Sequence, residues 1–151
     1  EFDVAISHMK ELLSRDGFNK QAGELLEKAQ SGKLALQANE LMRKGRLDQS
    51  KGNVREALAS FENALKIDNN NLEARYHIAV CLYELNSELS RALNLLKEVV
   101  GLGGKKAKYY SAMSDLYLLA KDDKRAVEAL NRAIRFEPDN REYQKKLKAI
   151  R

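Results

Sequence analysis

Tryptophan is absent from this chain, and proline and cysteine each occur once. A lone cysteine, Cys81, excludes an internal disulfide, and its apolar neighbours favour a packing role over a chemical one. A reducing compartment, and therefore a cytoplasmic location, is the default expectation. The scarcity of proline, beside stretches rich in Ala, Leu, Glu, Lys and Arg, favours helices, and no segment has a strand pattern.

Long apolar runs and a strong charge of one sign are also missing. No run approaches the length of a membrane-spanning helix, and the N-terminus lacks the layout of a secretory signal. The net charge of +5 is spread along the chain among acidic residues, which is typical of solvated helix faces and indicates nucleic-acid binding only weakly. The chain begins with Glu1 rather than Met, so we expect it to be a piece of a longer protein.

What the chain does contain is an internal repeat. The pattern Gly-x4-Ala-x3-(Leu/Phe)-x2-Ala starts at Gly17 and again at Gly52, an offset of 35 residues. Two further copies lack the glycine, and the four triplets are Ala22, Leu26 and Ala29; Ala57, Phe61 and Ala64; Ala92, Leu96 and Val99; and Ala126, Leu130 and Ala133. Residues at i, i+4 and i+7 share one helical face, so each triplet predicts a buried stripe.

A second series of small residues, Gly45, Ala79 and Ser114, precedes three of these triplets by 12 or 13 residues. Each unit therefore contains two helices, and the small residues predict that these helices approach closely. Turn residues separate the predicted helices at Asp16-Gly17, Ser31-Gly32, Lys51 to Asn53, Asp68 to Asn71, Asn86-Ser87, Gly101 to Gly104, Lys121 to Asp123 and Glu137 to Asn140.

Units of 34 or 35 residues with small, alanine, aromatic, alanine and proline positions resemble the tetratricopeptide repeat. The fullest copy, residues 107–140, carries Tyr110, Ser114, Tyr117, Ala126, Leu130, Ala133 and Pro138. The resemblance implies an all-α fold, a right-handed α-solenoid of stacked helix-turn-helix repeats in a single domain over residues 1–151. Its units are about 3–37, which is degenerate, 38–71, 72–106 and 107–140, and a polar capping helix follows over 141–151.

Two charged residues depart from the family pattern. Lys44 and Asp48 stand where these repeats bury apolar side chains, so we expect the first helix of unit 38–71 to be rotated or longer than usual, with a start near Lys33.

The resemblance further implies a protein-binding scaffold or adaptor whose first helices line a concave groove for a partner protein or peptide. Carried over by position, the groove residues are Asn39, Met42, Arg46, Gln49, Glu73, Tyr76, His77, Val80, Tyr83, Lys108, Ser111, Asp115 and Leu118. Tyr76 and Tyr83 lie two helical turns apart and are expected either to flank Val80 as a pair of binding rings or to pack on neighbouring first helices. The capping helix is expected to lie outside the groove.

Some tetratricopeptide domains hold the C-terminal carboxylate of a chaperone in a clamp of lysine, arginine and asparagine. Only Lys108 matches that clamp, because Met42, Arg46, His77 and Ala112 occupy its other positions. A hydrophobic or amphipathic segment of some other partner is therefore the better expectation.

Two other functions compete with groove binding. One is a basic surface for RNA or acidic partners, formed by Lys105, Lys106, Lys108 and the helix 141–151. The other is a structural role as a spacer or in self-association. The related pentatricopeptide repeat reads RNA through recurring polar positions, but the equivalent positions here vary among Met42, Tyr76 and Ser111.

The sequence predicts neither catalysis nor a bound cofactor or metal. His8 and His77 are two units apart, so with Cys81 they do not form a metal-ligand set. Most acidic residues fall on polar helix faces or in turns rather than converging as acid–base catalysis requires. The loop 101–106 lacks both the preceding strand and the spacing of a phosphate-binding loop.

Overall fold

The computed structural model describes residues 1–15 and 20–150, and that part of the chain is all-α, as predicted, with no strand. Gly17, the Asp16-Gly17 turn and Arg151 lie outside the described residues. The helices are α1 (Phe2–Arg15), α2 (Lys20–Ser50), α3 (Val54–Ile67), α4 (Leu72–Glu84), α5 (Leu89–Gly101), α6 (Ala107–Leu119), α7 (Asp123–Phe136) and α8 (Arg141–Ile150). None of these helices is long and apolar enough to cross a membrane.

Consecutive helices pair and the pairs then stack. Helix α2 packs against α3, α4 against α5, and α6 against α7, while the contacts of α3 with α4 and of α5 with α6 join the pairs in order. At the C-terminal end, α8 packs on α7. The arrangement is a helical solenoid in which α4 and α6 are the first helices of successive pairs and lie beside one another.

The triplets that the repeat pattern predicts form a large part of the buried core. All nine side chains of the last three triplets are fully buried, with Phe61, Leu96 and Leu130 at their centres. Full burial of a large apolar side chain stabilises a fold by roughly 1.5–3 kcal/mol. The first triplet is different, because Ala22 is buried but Leu26 and Ala29 are only half-buried. The stacked core therefore extends mainly over α2 to α8.

The predicted break at Ser31-Gly32 is wrong, because Lys20–Ser50 is one helix of 31 residues. Glycine inside a helix costs only about 1 kcal/mol, and good helix formers follow Gly32 without a proline to end the run. Helix α1 also packs there, with the Phe2 ring against Gly32 and an ion pair between Lys33 and Asp3. The proposed boundary between units 3–37 and 38–71 thus falls within α2.

Lys44 and Asp48, the two charged residues that depart from the family pattern, both lie in α2. Lys44 is exposed, so its charge meets no burial penalty. Asp48 is half-buried, and within the described residues one of its carboxylate oxygens has no hydrogen-bond partner.

Cys81 lies in the middle of the core. Its side chain is fully buried, and burial raises the pKa of its thiol to about 12. Because the thiolate is the reactive form, the position suits packing and not chemistry.

Helices α2 and α3 approach one another closely at Gly45. A Cβ atom added to Gly45 would lie 2.6 Å from the Phe61 ring of α3. The Phe61 ring in turn stacks on the His77 ring of α4, with the centroids 4.6 Å apart. Since Phe61 is held on both sides, it has little freedom to move away from a larger residue at position 45.

We therefore expect Gly45→Ala to destabilise the protein by about 1–3 kcal/mol through overpacking, despite the higher helix propensity of alanine. Gly23→Ala in the same helix is the matched control. Nothing lies within 4 Å of a Cβ atom at Gly23, so this change should stabilise the protein by up to about 1 kcal/mol. Urea unfolding of both variants tests the register of α2 on α3, and equal stabilities would contradict it.

Candidate functional site

Helices α4, α6 and α8 enclose a concave pocket of about 280 Å³. Its wall combines tyrosine rings, small apolar side chains and charged groups. The lining residues are Tyr76, Ala79, Val80, Tyr83, Glu84, Lys108, Ser111, Ala112, Asp115, Leu116, Glu142, Tyr143 and Lys146.

The pocket brings together six of the residues that the resemblance places in a groove: Tyr76, Val80, Tyr83, Lys108, Ser111 and Asp115. Of the two tyrosines, Tyr83 is the more open, with 36% of its surface exposed. Tyr76 packs against other rings, since its ring centroid lies 5.3 Å from that of Tyr109 and 5.1 Å from that of His77. Tyr76 therefore both lines the pocket and packs on a neighbouring first helix.

Four predicted groove residues lie elsewhere. The prediction that Met42 lines the groove is wrong, because its side chain is only 4% exposed and belongs to the core with Phe61. Leu118 packs against the buried cluster around Tyr117. Asn39 lines a separate depression beside Asn69, and Arg46 is exposed outside the pocket.

Gln49 and His77 form a polar link to Glu84, which lines the pocket. The Gln49 amide nitrogen donates to a Glu84 carboxylate oxygen at 3.3 Å, and its amide oxygen lies 3.1 Å from His77 Nδ1. The link joins α2 to α4 and holds Glu84 at the pocket edge.

Glu73, which the resemblance places in the groove, links α4 to α6 through hydrogen bonds. Its carboxylate accepts hydrogen bonds from Lys106 at 2.6 Å, from Lys108 at 2.5 Å and from the Tyr109 hydroxyl at 2.7 Å. Burial alone would raise the pKa of Glu73, but these three donors outweigh it and lower the pKa to about 2. Glu73 therefore stays ionised and joins two successive first helices.

Lys108 has a second internal partner. Its ammonium group lies 4.4 Å from the centroid of the Tyr76 ring, a distance suited to cation–π attraction. With one side on Glu73 and the other on Tyr76, Lys108 is already engaged within the protein.

The expectation that the capping helix lies outside the groove is wrong, because α8 forms the third wall. Lys146 donates to both carboxylate oxygens of Asp115, at 2.9 and 3.0 Å, and to Ser111 Oγ at 3.4 Å. The sequence held a signal for this placement. Lys146 follows Ser111 by 35 residues, just as Ser111 follows Tyr76, so the repeat period extends into α8.

No metal-binding group was identified: within residues 1–15 and 20–150, no three His, Cys, Asp or Glu side chains are grouped to hold a metal ion. What the pocket offers is a partly apolar surface with charged groups fixed by hydrogen bonds. Such a surface can recognise a side chain by shape and charge.

Stacked helix pairs with a concave pocket between first helices define the chain as a helical-repeat solenoid. Models of the tetratricopeptide repeat match residues 49–88 and 107–140. The chain therefore contains tetratricopeptide repeats. No curated protein matches it in sequence.

Solved structures share the fold. The first tetratricopeptide domain of Spaghetti (RPAP3), bound to the HSP90 peptide SRMEEVD, has a TM-score of 0.71 and 22% identity, over 76% of this chain and 90% of that one. The Arabidopsis OM64 domain has a TM-score of 0.71 and 18% identity, over 76% and 93%. A Thermobaculum terrenum O-GlcNAc transferase mutant has a TM-score of 0.73 and 20% identity, over 78% of this chain but 22% of the enzyme.

The half-buried His77 makes the stability of the fold depend on pH. Burial lowers the pKa of His77 from 6.5 to about 4, and the positive charges of Lys108 and Arg46 add to this effect, while Glu73 opposes it. As the pH falls below 6.5, the unfolded chain therefore binds a proton that the folded chain does not, and the fold loses stability.

We expect this loss to reach about 2 kcal/mol between pH 7 and pH 5 in the wild-type chain. His77→Gln removes the titrating group and should flatten that part of the profile of unfolding free energy against pH. His8→Gln, at an exposed position on α1, is the matched control and should keep the wild-type slope. Equal slopes for the wild type and His77→Gln would contradict the assignment.

Proposed function

We propose that the chain is a protein-interaction module, a scaffold or adaptor, and that the α4–α6–α8 pocket binds an amphipathic segment of a partner protein. The observation that carries the proposal is the exposed Tyr83 ring beside a wall of small apolar side chains, which includes Val80 and Ala112. Tyrosine is enriched among the residues that dominate binding energy at protein interfaces. Recognition of this kind needs no cofactor and no catalytic step.

The size of the pocket supports a segment of a larger partner. Sites that enclose a small molecule have volumes of roughly 300–1,000 Å³, and this pocket lies at the lower limit. It suits one or two side chains of a longer segment that continues along the concave surface, which is how repeat arrays present their binding sites. An RPAP3 domain of the same fold is bound to a peptide, which supports a peptide as the class of ligand.

A chaperone tail is a poor fit for this pocket. A carboxylate clamp needs free cations, yet Lys108 is hydrogen-bonded to Glu73. Met42 is buried, and His77 stacks on Phe61, so neither of these two clamp positions offers a free donor. An amphipathic segment makes better use of the apolar wall.

The basic-surface alternative loses support from the same ion pairs. Lys106 and Lys108 bind Glu73, and Lys146 binds Asp115, so three of its lysines are already neutralised. Phosphate-driven binding weakens steeply with salt, whereas binding through an apolar wall does not. A salt titration of any bound partner therefore separates the two functions.

The groove proposal predicts that Tyr83→Ala weakens binding by about 1–3 kcal/mol, as truncation of an aromatic anchor does. Tyr83 is a better probe than Tyr76, because the Tyr76 ring also supports the packing of α6. The ligand is the strongest 12-residue peptide selected on the wild-type chain from a random phage-displayed library, with affinity measured by fluorescence polarisation.

Leu102→Ala is the control for this experiment, since Leu102 is an exposed apolar residue in the turn between α5 and α6, outside the pocket. It should leave the affinity unchanged. Circular dichroism checks that both variants remain folded. The proposal fails when the selected peptide binds Tyr83→Ala as tightly as it binds the wild type.

A further inference from the structure

We propose that the partner segment presents a lysine or arginine next to its apolar residue, and that Glu84 and the Tyr83 ring bind this cation, with Glu142 on the rim. The inference rests on the groove function proposed above and names the chemistry of the partner. It follows from the distribution of charge around the pocket.

Both lysines of the pocket are neutralised within the protein. Lys146 is 2.9 Å from Asp115, and Lys108 is 2.5 Å from Glu73. Glu84 and Glu142 remain, and both are exposed. No lysine or arginine of the part of the chain that the structure describes lies within ion-pair distance of either carboxylate. The pocket is thus locally acidic in a chain with a net charge of +5.

Within the described part of the chain, neither carboxylate has a cation partner, although Glu84 accepts a hydrogen bond from the Gln49 amide. Helix ends modify the charge of Glu84 and of Glu142 in opposite directions. Glu84 is the last residue of α4, where the negative pole of the helix adds to its charge. Glu142 lies in the first turn of α8, where the positive pole offsets part of its charge. Glu84 is therefore expected to contribute more of the attraction for a cation.

The raised pKa values of Tyr76 and Tyr143 are consistent with this negative environment. Burial is the main cause of the raised pKa of Tyr76, and the carboxylates of Glu73, Asp115 and Glu84 raise it further. For Tyr143, burial again comes first, and Glu142 is among the carboxylates that add to it.

The protein contains an internal example of the recognition that we infer. Lys108 is hydrogen-bonded to Glu73 while its ammonium group faces the Tyr76 ring. Tyr83 and Glu84 offer the same two chemical groups, a tyrosine ring and a carboxylate, at the open edge of the pocket. Among the described residues, no ring or cation stacks on Tyr83, so its face is available to a partner's cation.

An acidic segment would find no unpaired lysine among the described residues of the pocket. Its carboxylates would meet Glu84 and Glu142, while Lys108 and Lys146 are held by Glu73 and Asp115. Like charges at close range reject the wrong partner even where the shape is acceptable. The charge pattern therefore commits the pocket to a basic and apolar segment.

The experiment selects random 12-residue phage-displayed peptides on the wild-type chain and on Glu84→Gln/Glu142→Gln. The matched control is Glu27→Gln/Glu128→Gln, which removes two exposed carboxylates outside the pocket. Wild-type and control selections should be enriched in lysine or arginine beside an apolar residue, and the pocket variant should lose that enrichment. The strongest wild-type peptide, made synthetically, should bind the pocket variant about threefold to tenfold more weakly and the control unchanged.

Replacing the basic residue of that peptide by glutamine should cause a similar loss of affinity for the wild-type chain. It should cause little further loss of affinity for the pocket variant, which would show that the basic residue pairs with the pocket carboxylates. Glu84→Gln alone should account for most of the effect. Selection of acidic peptides, or of peptides with no charge preference, overturns this inference. The groove proposal stands in that case when Tyr83→Ala still weakens the binding of those peptides. Peptides indifferent to Tyr83→Ala, or no enrichment over a blank surface, overturn both proposals.

Discussion

The architecture depends on how closely the two helices of each pair approach one another. Gly45 allows α3 to place the Phe61 ring where a Cβ atom would otherwise lie, and Ala79 and Ser114 are buried at the equivalent positions of the next two pairs. Phe61 then supports His77, which belongs to the following pair. One close contact within a pair therefore also helps to position α4, which carries the Tyr76 and Tyr83 side chains.

Polar bonds between first helices complete this register. Gln49 bonds to Glu84, Glu73 to Lys108, and Ser111 to Lys146, and each pair is separated by 35 residues in the sequence. These bonds join residues one repeat apart, so they run across the concave face in step with the stacking of the core. The same period that builds the hydrophobic stripes thus positions the charged groups of the pocket.

The sequence was sufficient for the phase of the last three triplets, because their nine buried residues require matched spacing. It was a poorer guide where a local signal competes with packing. Gly32 has the chemistry of a turn, yet α1 packs over it and the helix continues. Met42 was assigned to the groove, although it lies three residues before Gly45 and so shares the face that meets α3. That spacing indicates a core position for Met42.

Helix α8, predicted as a polar cap, also forms a wall of the pocket. Its Lys146 neutralises Asp115, while its Glu142 remains free at the rim. Net charge is therefore a poor guide to what a repeat protein binds. The lysines of the concave face contribute to holding successive helices together, and the charge left for a partner is set by the carboxylates that those lysines do not reach. In the α4–α6–α8 pocket, that remainder is negative even though the chain as a whole is basic.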